Sequence, residues 1–583
     1  MRQQSPNTRR LGAVMGIFLF LAIAAMLRLV IYQVVDADSI NKVSYDKRAI
    51  TVPIHAIRGD IIDANGVVLA TTVLRYDVNA APDIVTPITR VVDGQTITLT
   101  PADVANELAP LLKMKPSDIL TKITGTGKYA NIKKKVAATI YRKIKALDIP
   151  WLFYDQVQVR VYPNGAVAGN LLGFLGTDGT PLAGLERTMN ECLAGVDGQE
   201  TFERGVDGIK IPESTVTTQA AKNGSTVVLT IHSDLQYSAQ QVITNYVKDE
   251  RADWGSAVIV EAKTGKIITA AEYPSVDPNV FFKSKAEDRG SRIFQATFEP
   301  GSTMKTVAAA TAVDVGEATP STQVKAPQTL HFSWGGSISD SHAHPTQKLT
   351  LTGVLRDSSN TGIVQIVEKV PAKTRYDYLK AFGIGSPTAV HFEGESGGIM
   401  SSPSSWDKLT NLTTMFGQGL AVTPIQTAYF YQTIANGGTR LPAQLVAGCQ
   451  ADGGKLVAPA LPAAVNVLKP ETARTTIDML EKVVEQGGIG RTAAIPGWRI
   501  GGKSGTAQLR EGHGYGSLHA ISFIGMAPAE DPQYVLAVTI YKPRTVSTSI
   551  GATPAFKAIM NQILRTFSVP FSHGKSANIP TEW

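Results

Sequence analysis

The chain has 583 residues, a net charge of +7 and a hydrophobic share of 43%, and its 52 glycines and 32 prolines follow no period, which excludes a disordered or collagen-like protein. Its two cysteines are too few to staple a chain of this length, so a disulfide framework is excluded as well. Charged residues make up 18% of the chain, below the roughly 25% typical of soluble domains, and this deficit predicts an apolar segment outside any soluble core.

The predicted apolar segment lies near the N-terminus. Residues 11–35 carry one charge, Arg28, among mostly apolar side chains. A helix rises about 1.5 Å per residue, so this run is long enough to cross the roughly 30 Å core of a bilayer. Basic residues precede the run and acidic residues follow it, which predicts a cytoplasmic tail at residues 1–10 and export of the rest of the chain. The charges are Arg2, Arg9 and Arg10 before the run and Asp36, Asp38 and Asp46 after it.

A cleaved signal peptide is the competing interpretation, since residues 22–24 (Ala-Ile-Ala) would suit a cleavage site. That triplet lies inside the apolar run, which continues to Val35 without a polar stretch, so a retained transmembrane anchor is favoured over the signal peptide and over a buried core helix. In the exported part, we interpret Cys192 and Cys449 as two isolated thiols rather than a bridge.

The pattern of residues 36–215 is mixed. Ile54 to Ala70 predicts two strands joined by a turn at Asn65-Gly66. Thr100, followed by a proline, predicts the start of a helix. Residues 128–145 are basic, with apolar residues at helical spacing; we favour a solvated helix face over a patch that binds an anionic polymer or nucleic acid.

A polar stretch rich in Ser, Thr, Asn and Gly, residues 214–226, is the candidate boundary to the next region. From there to Phe567, helical and strand patterns continue without a repeat, and a polar Ser/Pro tail, residues 568–583, follows. The sequence therefore predicts an α+β module over residues 216–567 that is large enough to hold a deep cleft.

Three short motifs occur in this module, and each one alone is weak because similar matches occur elsewhere. They are Ser302-Thr303-Met304-Lys305, Ser358-Ser359-Asn360 and Lys503-Ser504-Gly505-Thr506. Context favours the first, because Ser302 follows Pro-Gly and opens an Ala-rich helical stretch. On a helix, Ser302 and Lys305 lie one turn apart, where the amine can reach the hydroxyl. The competing matches, such as Ser405 to Lys408, lie in loops, in the tail or beside the membrane segment.

These residue types suit nucleophilic catalysis. A serine hydroxyl needs a base, and a lysine can serve only if it is neutral, which burial and a second cation favour. Lys503 could be that cation, while Ser358 could relay a proton and Asn360 could bind a substrate carbonyl.

The third motif reads as an extended segment, Lys503 to Gln508. Ser504 and Thr506 would share one side of this segment. Gly505 would let a substrate backbone lie close. The backbone N–H groups of Ser302 and Thr506 could form an oxyanion hole.

The ordered triple resembles the signature of the penicillin-recognising serine enzymes, and the chain as a whole is similar to the class B penicillin-binding proteins. The resemblance extends over almost everything from residue 50 to residue 567. Its further segments are Arg58 to Asp63 with Asn65-Gly66, Arg160 to Gly176, Gly184 to Glu186, Phe298 to Lys305 and Phe416 to Gln426.

This resemblance implies a membrane-anchored D,D-transpeptidase of peptidoglycan that needs no cofactor or metal. Residues 11–35 would be the anchor, 36–215 an elongated pedestal, and 216–567 a transpeptidase domain with a five-stranded antiparallel sheet flanked by helices. The implied catalytic residues are Ser302 as nucleophile, Lys305 as base, and Ser358 and Lys503 as proton relay. The implied substrate-binding residues are Asn360, Ser504, Gly505 and Thr506, and β-lactams would acylate Ser302.

The sequence differs from related families in ways that disfavour two other activities, penicillin hydrolysis and glycosyl transfer. The middle motif is Ser-Ser-Asn rather than the Ser-Asp-Asn of class A β-lactamases, and the Glu-x-x-x-Asn sequence, Glu186 to Asn190, precedes Ser302, so fast penicillin hydrolysis is not expected. The space before the transpeptidase region leaves little room for a glycosyltransferase. By analogy, glycan strands would come from a polytopic glycosyltransferase in the same membrane. The expected role is septal wall synthesis with other division proteins; the alternatives are an elongation enzyme and a silent scaffold or β-lactam sensor.

Overall fold

The computed structural model describes residues 6–92, 94–205, 211, 213–511, 514–546 and 548–583. Arg2 and the first half of the expected cytoplasmic tail lie outside the described residues. The described helices are, in chain order, α1 (Pro6–Val30), α2 (Ala37–Arg48), α3 (Pro101–Leu112), α4 (Pro116–Ile123), α5 (Ala138–Lys145), α6 (Gly169–Leu172), α7 (Gly184–Thr188), α8 (Asn190–Leu193), α9 (Ser233–Asp249), α10 (Arg292–Gln295), α11 (Met304–Asp314), α12 (Leu351–Asp357), α13 (Asn360–Val367), α14 (Ala372–Phe382), α15 (Lys408–Thr413), α16 (Pro424–Ala435), α17 (Pro470–Val484) and α18 (Thr553–Thr566).

Strands alternate with these helices along the whole chain. The described strands are β1 (Ala49–Ile54), β2 (Ile61–Ile62), β3 (Val68–Ala80), β4 (Ile88–Val92), β5 (Gln95–Leu99), β6 (Ala130–Ala137), β7 (Leu152–Val161), β8 (Gly198–Glu203), β9 (Val216–Gln219), β10 (Thr226–Leu229), β11 (Trp254–Glu261), β12 (Ile267–Tyr273), β13 (Gln323–Ala326), β14 (Thr329–His331), β15 (Ser337–Ser339), β16 (Gln347–Thr350), β17 (Thr439–Arg440), β18 (Val446–Gln450), β19 (Leu456–Val457), β20 (Val465–Asn466), β21 (Gly501–Glu511), β22 (Gly514–Ala527) and β23 (Tyr534–Tyr541).

The chain divides into two compact units, of which the first runs through Arg58 and also includes Ala194–Gly224. Its N-terminal part contains the helix Arg9–Val35, which is 27 residues long and apolar and has none of its most apolar stretch buried. Among the described residues, it is the one helix whose length and composition suit a membrane span. The rest of this unit includes the antiparallel sheet β1-β8-β9.

The second unit comprises Gly59–Leu193 and Ser225–Trp583 and contains the large sheet that the resemblance implies. That sheet is antiparallel and five-stranded, in the order β12-β11-β23-β22-β21, so this prediction is confirmed. Helices α9 and α18 pack on one face, while α16 and α17 pack on the other, with α11 beside α17. Each face of the sheet packs against its own hydrophobic core. Successive residues of β11 alternate between these two cores, since Val258 belongs to one and Ile259 to the other. The module is therefore a sheet between two helical layers.

The N-terminal part of the second unit contains a turn and two helices that were predicted from the sequence. The turn at Asn65-Gly66 is confirmed, because it joins β2 to antiparallel β3 and Gly66 has a φ of +83°. Thr100 caps α3 as predicted, in a capping box with Asp103. The helix predicted for residues 128–145 is wrong in its first half, which forms β6. Pairing of β6 with β3 overrides the helical spacing there, and only α5 is helical.

A buried ion pair joins three of the segments that carry the resemblance. Arg160 Nε donates to Glu186 Oε1 at 2.7 Å, and Arg160 Nη1 donates to the Gly59 carbonyl at 2.7 Å. Both side chains of the pair are buried. Glu186 is thus committed to holding this region together.

The two cysteines form a disulfide, so their interpretation as isolated thiols is wrong. The fold explains the pairing: β10 places Val227 opposite Cys449, and the preceding Ser225 N–H donates to the Cys192 carbonyl at 2.8 Å. The two Cα atoms are consequently 6.1 Å apart, within reach of a bridge. Their sequence separation of 257 conceals this proximity.

Replacing Cys192 by serine is expected to lower the free energy of unfolding by about 2–4 kcal/mol, because the bridge closes a long loop in the unfolded chain. Urea unfolding with and without reductant measures this. Reductant should destabilise the wild type and leave the variant unchanged. Two reactive thiols per chain in the unreduced, denatured wild type would contradict the bridge.

Candidate active site

Ser302 lies in a 3-10 turn, Gly301–Thr303, that leads directly into α11. Lys305 is in the first turn of α11, and its Nζ donates to Ser302 Oγ at 3.0 Å, as the one-turn spacing predicts. The hydroxyl of Tyr431 donates to the Thr303 carbonyl at 3.0 Å and fixes the turn from α16. The serine is half-buried, whereas the lysine is fully buried.

Ser358 connects the first motif to the third. It ends α12 in the left-handed region, with a φ of +62°. Lys305 Nζ donates to the Ser358 carbonyl and lies 3.2 Å from Ser358 Oγ, while Lys503 Nζ donates to the same Oγ at 2.9 Å. The Ser358 hydroxyl therefore bridges two amines that belong to different elements.

Burial sets the protonation of these amines. It lowers the pKa of Lys305 to about 7, against a smaller opposing effect of Asp340. Burial also lowers the pKa of Lys503, the positive charge of Lys305 lowers it further, and Asp357 opposes both. Two charged ammonium groups sharing one hydroxyl in a buried site are unfavourable. Both effects favour the neutral amine, the form that a lysine base requires.

The third motif lies on β21, the edge strand of the five-stranded sheet. Ser504 is buried, with its Oγ 3.3 Å from Lys503 Nζ, and Thr506 is half-buried. Gly505 packs tightly against neighbouring parts of the protein. A Cβ there would lie 2.8 Å from Thr303 Cγ2 and 2.5 Å from Ser522 Oγ. The glycine thus lets β21 approach the serine's turn, and its missing side chain makes room for the protein itself.

Asn360 is the first residue of α13, and its Nδ2 donates to the Ser339 carbonyl at 2.9 Å. Sequence reasoning missed the residue that fixes this helix start, Asp340. Its carboxylate accepts from the backbone N–H of Asn360, from Ser359 Oγ at 2.7 Å and from the Thr361 N–H at 3.0 Å. A single aspartate in a short hairpin segment carries no sequence signal for this role.

The loop after α15 supports the serine from another side. The Gly301 N–H donates to the Gly417 carbonyl at 3.1 Å, and Gly417 has a φ of +84°, where a Cβ would lie 2.3 Å from the Gly301 carbonyl oxygen. Phe416 to Gln426 was part of the resemblance, but without a role. Its role here is to hold the turn that carries the candidate nucleophile.

The arrangement has the parts needed for acyl transfer to a serine. Ser302 is partly exposed, the Lys305 amine, whose pKa burial lowers to about 7, is within hydrogen-bond distance of its hydroxyl, and a second hydroxyl links that amine to Lys503. All of the sequence-predicted catalytic residues converge here.

Comparison with known proteins agrees with this chemistry. Residues 255–561 match the family described as "Penicillin binding protein transpeptidase domain", and residues 53–229 match "Penicillin-binding Protein dimerisation domain". Penicillin-binding protein PbpB of Mycolicibacterium smegmatis is 32% identical, over 98% of this chain and 92% of that protein. Peptidoglycan D,D-transpeptidase FtsI of Escherichia coli K12 is 30% identical, over 94% and 91%. The crystal structure of Penicillin binding protein 3 from Mycobacterium tuberculosis complexed with ampicillin has a TM-score of 0.71 at 27% identity, and the match covers 91% of this chain and 100% of that one.

Proposed function

The chain belongs to the class B penicillin-binding proteins, and on this premise we propose that it is a peptidoglycan D,D-transpeptidase that cross-links stem peptides through an acyl-enzyme on Ser302. The observation that carries the proposal is the contact of Lys305 Nζ with Ser302 Oγ at 3.0 Å, between a nucleophile and a buried amine whose pKa is near neutrality.

In the first half-reaction, neutral Lys305 takes the proton from Ser302 Oγ as the oxygen attacks the carbonyl carbon of the penultimate D-alanine. The bond to the terminal D-alanine nitrogen then breaks. The proton that Lys305 took passes through the Ser358 hydroxyl to that nitrogen, while Lys503 holds the same hydroxyl in place, so Lys305 is neutral again and free D-alanine leaves. An ester on Ser302 remains.

In the second half-reaction, the side-chain amine of a neighbouring stem attacks the ester carbonyl. A new amide forms, the bond to Ser302 Oγ breaks, and the amine's proton returns to the serine through the same lysine. The reaction conserves one amide bond, which explains why no energy-supplying cofactor is needed.

We assign substrate contacts to the remaining motif residues. Asn360 would bind a carbonyl of the stem peptide, and the hydroxyls of Ser504 and Thr506 would hold the terminal carboxylate beside Lys503. The N–H groups of Ser302 and Thr506 would stabilise the oxyanion. Gly505 would contribute its backbone. The closeness of β21 to the serine's turn supports this set, because Gly505, next to Thr506, packs against Thr303, next to Ser302.

Gly505→Ala is expected to lower the rate of acylation by penicillin roughly 100-fold, because the added methyl group displaces the serine's turn from β21. It should also destabilise the fold by about 1–3 kcal/mol through overpacking. The matched control is Gly501→Ala on the same strand, where the nearest atoms to a Cβ lie at 3.6 Å, an ordinary contact. Stopped-flow labelling with a fluorescent penicillin measures the acylation rate of each variant. Equal rates in the two variants would contradict the tight contact.

Penicillin should acylate Ser302 and persist there. A β-lactam mimics the D-Ala-D-Ala end, so ring opening by Ser302 leaves an ester of the same kind. Rapid hydrolysis would need a positioned general base for water, and Glu186 is committed to Arg160. We therefore propose a β-lactam target rather than a β-lactamase.

We propose a role in septal wall synthesis, and the resemblance to FtsI supports it. Depleting the protein should block septation and give filaments. Swelling or rounding with normal septation would instead favour an elongation enzyme. A catalytically silent scaffold or sensor is the remaining alternative, and full complementation of the depletion by Ser302→Ala would favour it.

We also propose the cellular arrangement. Residues 1–10 would lie in the cytoplasm, 11–35 would span the cytoplasmic membrane once, and the pedestal (36–215), transpeptidase domain (216–567) and polar tail (568–583) would be extracytoplasmic. Partners would be a polytopic membrane glycosyltransferase and other division proteins, and not nucleic acid. Alkaline phosphatase fused after residue 583 should be active in intact cells. A stable but inactive fusion would indicate the opposite orientation, with the C-terminus in the cytoplasm.

A further inference from the structure

The polar tail does not project from the fold but packs along the element that carries Ser358. We call its last part, residues 580–583, the strap. Thr350 Oγ1 donates to the Pro580 carbonyl at 2.6 Å, and the Thr350 N–H donates to the Thr581 carbonyl at 3.0 Å. The Trp583 N–H donates to the Lys348 carbonyl at 3.2 Å. The strap thus follows β16 into the start of α12.

Close packing continues along α12 itself. A Cβ at Gly353 would lie 1.9 Å from the Thr581 carbonyl oxygen, so the strap fits against α12 only because this residue is glycine. A glycine inside a helix is otherwise unfavourable compared with alanine. The contact with the strap is the feature of this position that requires it.

The last turn of α12 is tied to the strap by charge. Arg356 Nη1 donates to Thr581 Oγ1 at 2.6 Å, and Arg356 Nη2 lies 2.7 Å from Glu582 Oε1. The same guanidinium forms a bidentate pair with Asp357, at 2.7 and 2.8 Å. Asp357 is the acid whose charge acts on Lys503 and directly precedes Ser358. The strap is therefore connected to the proton relay through the side chains of Arg356 and Asp357.

Ser358 needs such support because its backbone is in the left-handed region, which a non-glycine residue keeps only where its surroundings impose it. Its position fixes the distances from its Oγ to both catalytic amines. Asn360, in contrast, is held separately, by Asp340 and the Ser339 carbonyl. Loosening α12 should therefore affect proton transfer more than substrate binding.

We propose that the strap is a positioning segment for the Ser358 proton relay, and that Gly353, Arg356, Thr581 and Glu582 are positioning residues for acylation of Ser302. This inference rests on the proposed transpeptidase function. In the described part of the chain, no hydrogen bond joins any of these four residues to Ser302, so the strap acts through α12.

Gly353→Ala tests the proposal, because its methyl group displaces the strap at a position where alanine otherwise suits a helix. The rate of Ser302 acylation is measured over a range of fluorescent penicillin concentrations, with the full-length protein in detergent. We expect the saturating rate to fall roughly 10-fold or more, because the relay is misplaced. The half-saturating concentration and the fraction of chains finally labelled should not change. A merely destabilised protein would instead lose labelled fraction and keep its rate.

A pair of variants at Thr581 covers the case in which Gly353→Ala does not fold. Thr581→Val removes the acceptor for Arg356 Nη1 and keeps the shape, whereas Thr581→Ser keeps the hydroxyl. The valine variant should acylate several-fold more slowly, and the serine variant should match the wild type. An unchanged saturating rate in Thr581→Val, or in a folded Gly353→Ala, overturns the strap's role. If the wild type itself takes no label, the proposed function fails, and the strap proposal fails with it.

Discussion

Ser302→Ala is expected to abolish covalent labelling by fluorescent penicillin, with a loss on the order of 10⁴-fold or more, as for other enzymes that lose a serine nucleophile. The Ser302 hydroxyl is the group that forms the ester in the proposed mechanism, and the neighbouring hydroxyls remain in this variant as an internal test of that assignment. Its removal should barely change the thermal midpoint, because the residue is half-buried and its side chain contacts mainly Lys305.

The matched control for this prediction is Ser405→Ala. Ser405 also belongs to a Ser-x-x-Lys sequence, but it is exposed in a 3-10 turn and its hydroxyl donates to the Ser402 carbonyl. This variant should label like the wild type. Full labelling of Ser302→Ala would exclude Ser302 as the nucleophile. Loss of labelling in Ser405→Ala would show that labelling requires Ser405 and would contradict the choice of Ser302.

Lys305→Met is expected to reduce acylation by roughly 10²–10⁴-fold, the usual contribution of a general base, while leaving the fold intact. Methionine has a similar length and no charge, so it fits the buried site without a desolvated ammonium. Pre-steady-state labelling at saturating penicillin measures the loss. Lys408→Met, the exposed lysine of the Ser405 sequence, is the control and should have no effect. A Lys305→Met enzyme with wild-type rates would exclude Lys305 as the base.

The same lysine sets a pH dependence with a defined sign. Because the pKa of Lys305 is about 7, the neutral base accumulates as pH rises through 7, and the acylation rate should rise there and then level off. An ordinary lysine base would give a rate that rises only near pH 10. A rate that is flat from pH 5.5 to 8.5 would contradict a lysine base with this pKa.

Stability should follow from the same shift. The folded-state pKa of Lys305 lies below its unfolded value of 10.5, so between about pH 7 and 10.5 the unfolded chain binds more protons and the wild type gains stability as pH rises. Below pH 7 the folded protein holds a buried charge. The Lys305→Met variant should therefore be at least as stable as the wild type at pH 6. Its relative stability should decline toward pH 10, as urea unfolding at the two pH values would measure.

The contact within the first motif could be predicted because its information is local. Ser302 and Lys305 are one helical turn apart, so spacing alone predicts their contact, and the order of three motifs favours this Ser-x-x-Lys over the others. The five-stranded sheet followed from the resemblance and not from periodicity, since its strands are buried on both faces and do not alternate clearly in polarity.

The features that sequence reasoning missed depend on long-range contacts. Asp340 acts on a helix start that is 20 residues away, and Cys192 meets Cys449 across 257 residues. Residues 130–137 have helical spacing, yet their pairing with β3 makes them a strand. The tight packing of Gly505 against the turn that carries Ser302 is a further long-range contact that the sequence does not reveal.

Peptide mapping by mass spectrometry of the penicillin-treated, full-length protein tests the central claim most directly. We predict one penicilloyl group per chain, carried by the peptide that contains Ser302, and its displacement when a D-amino acid is added as an acceptor amine. A stable adduct on a different residue, or covalent labelling that survives in Ser302→Ala, would contradict the acyl-enzyme on Ser302.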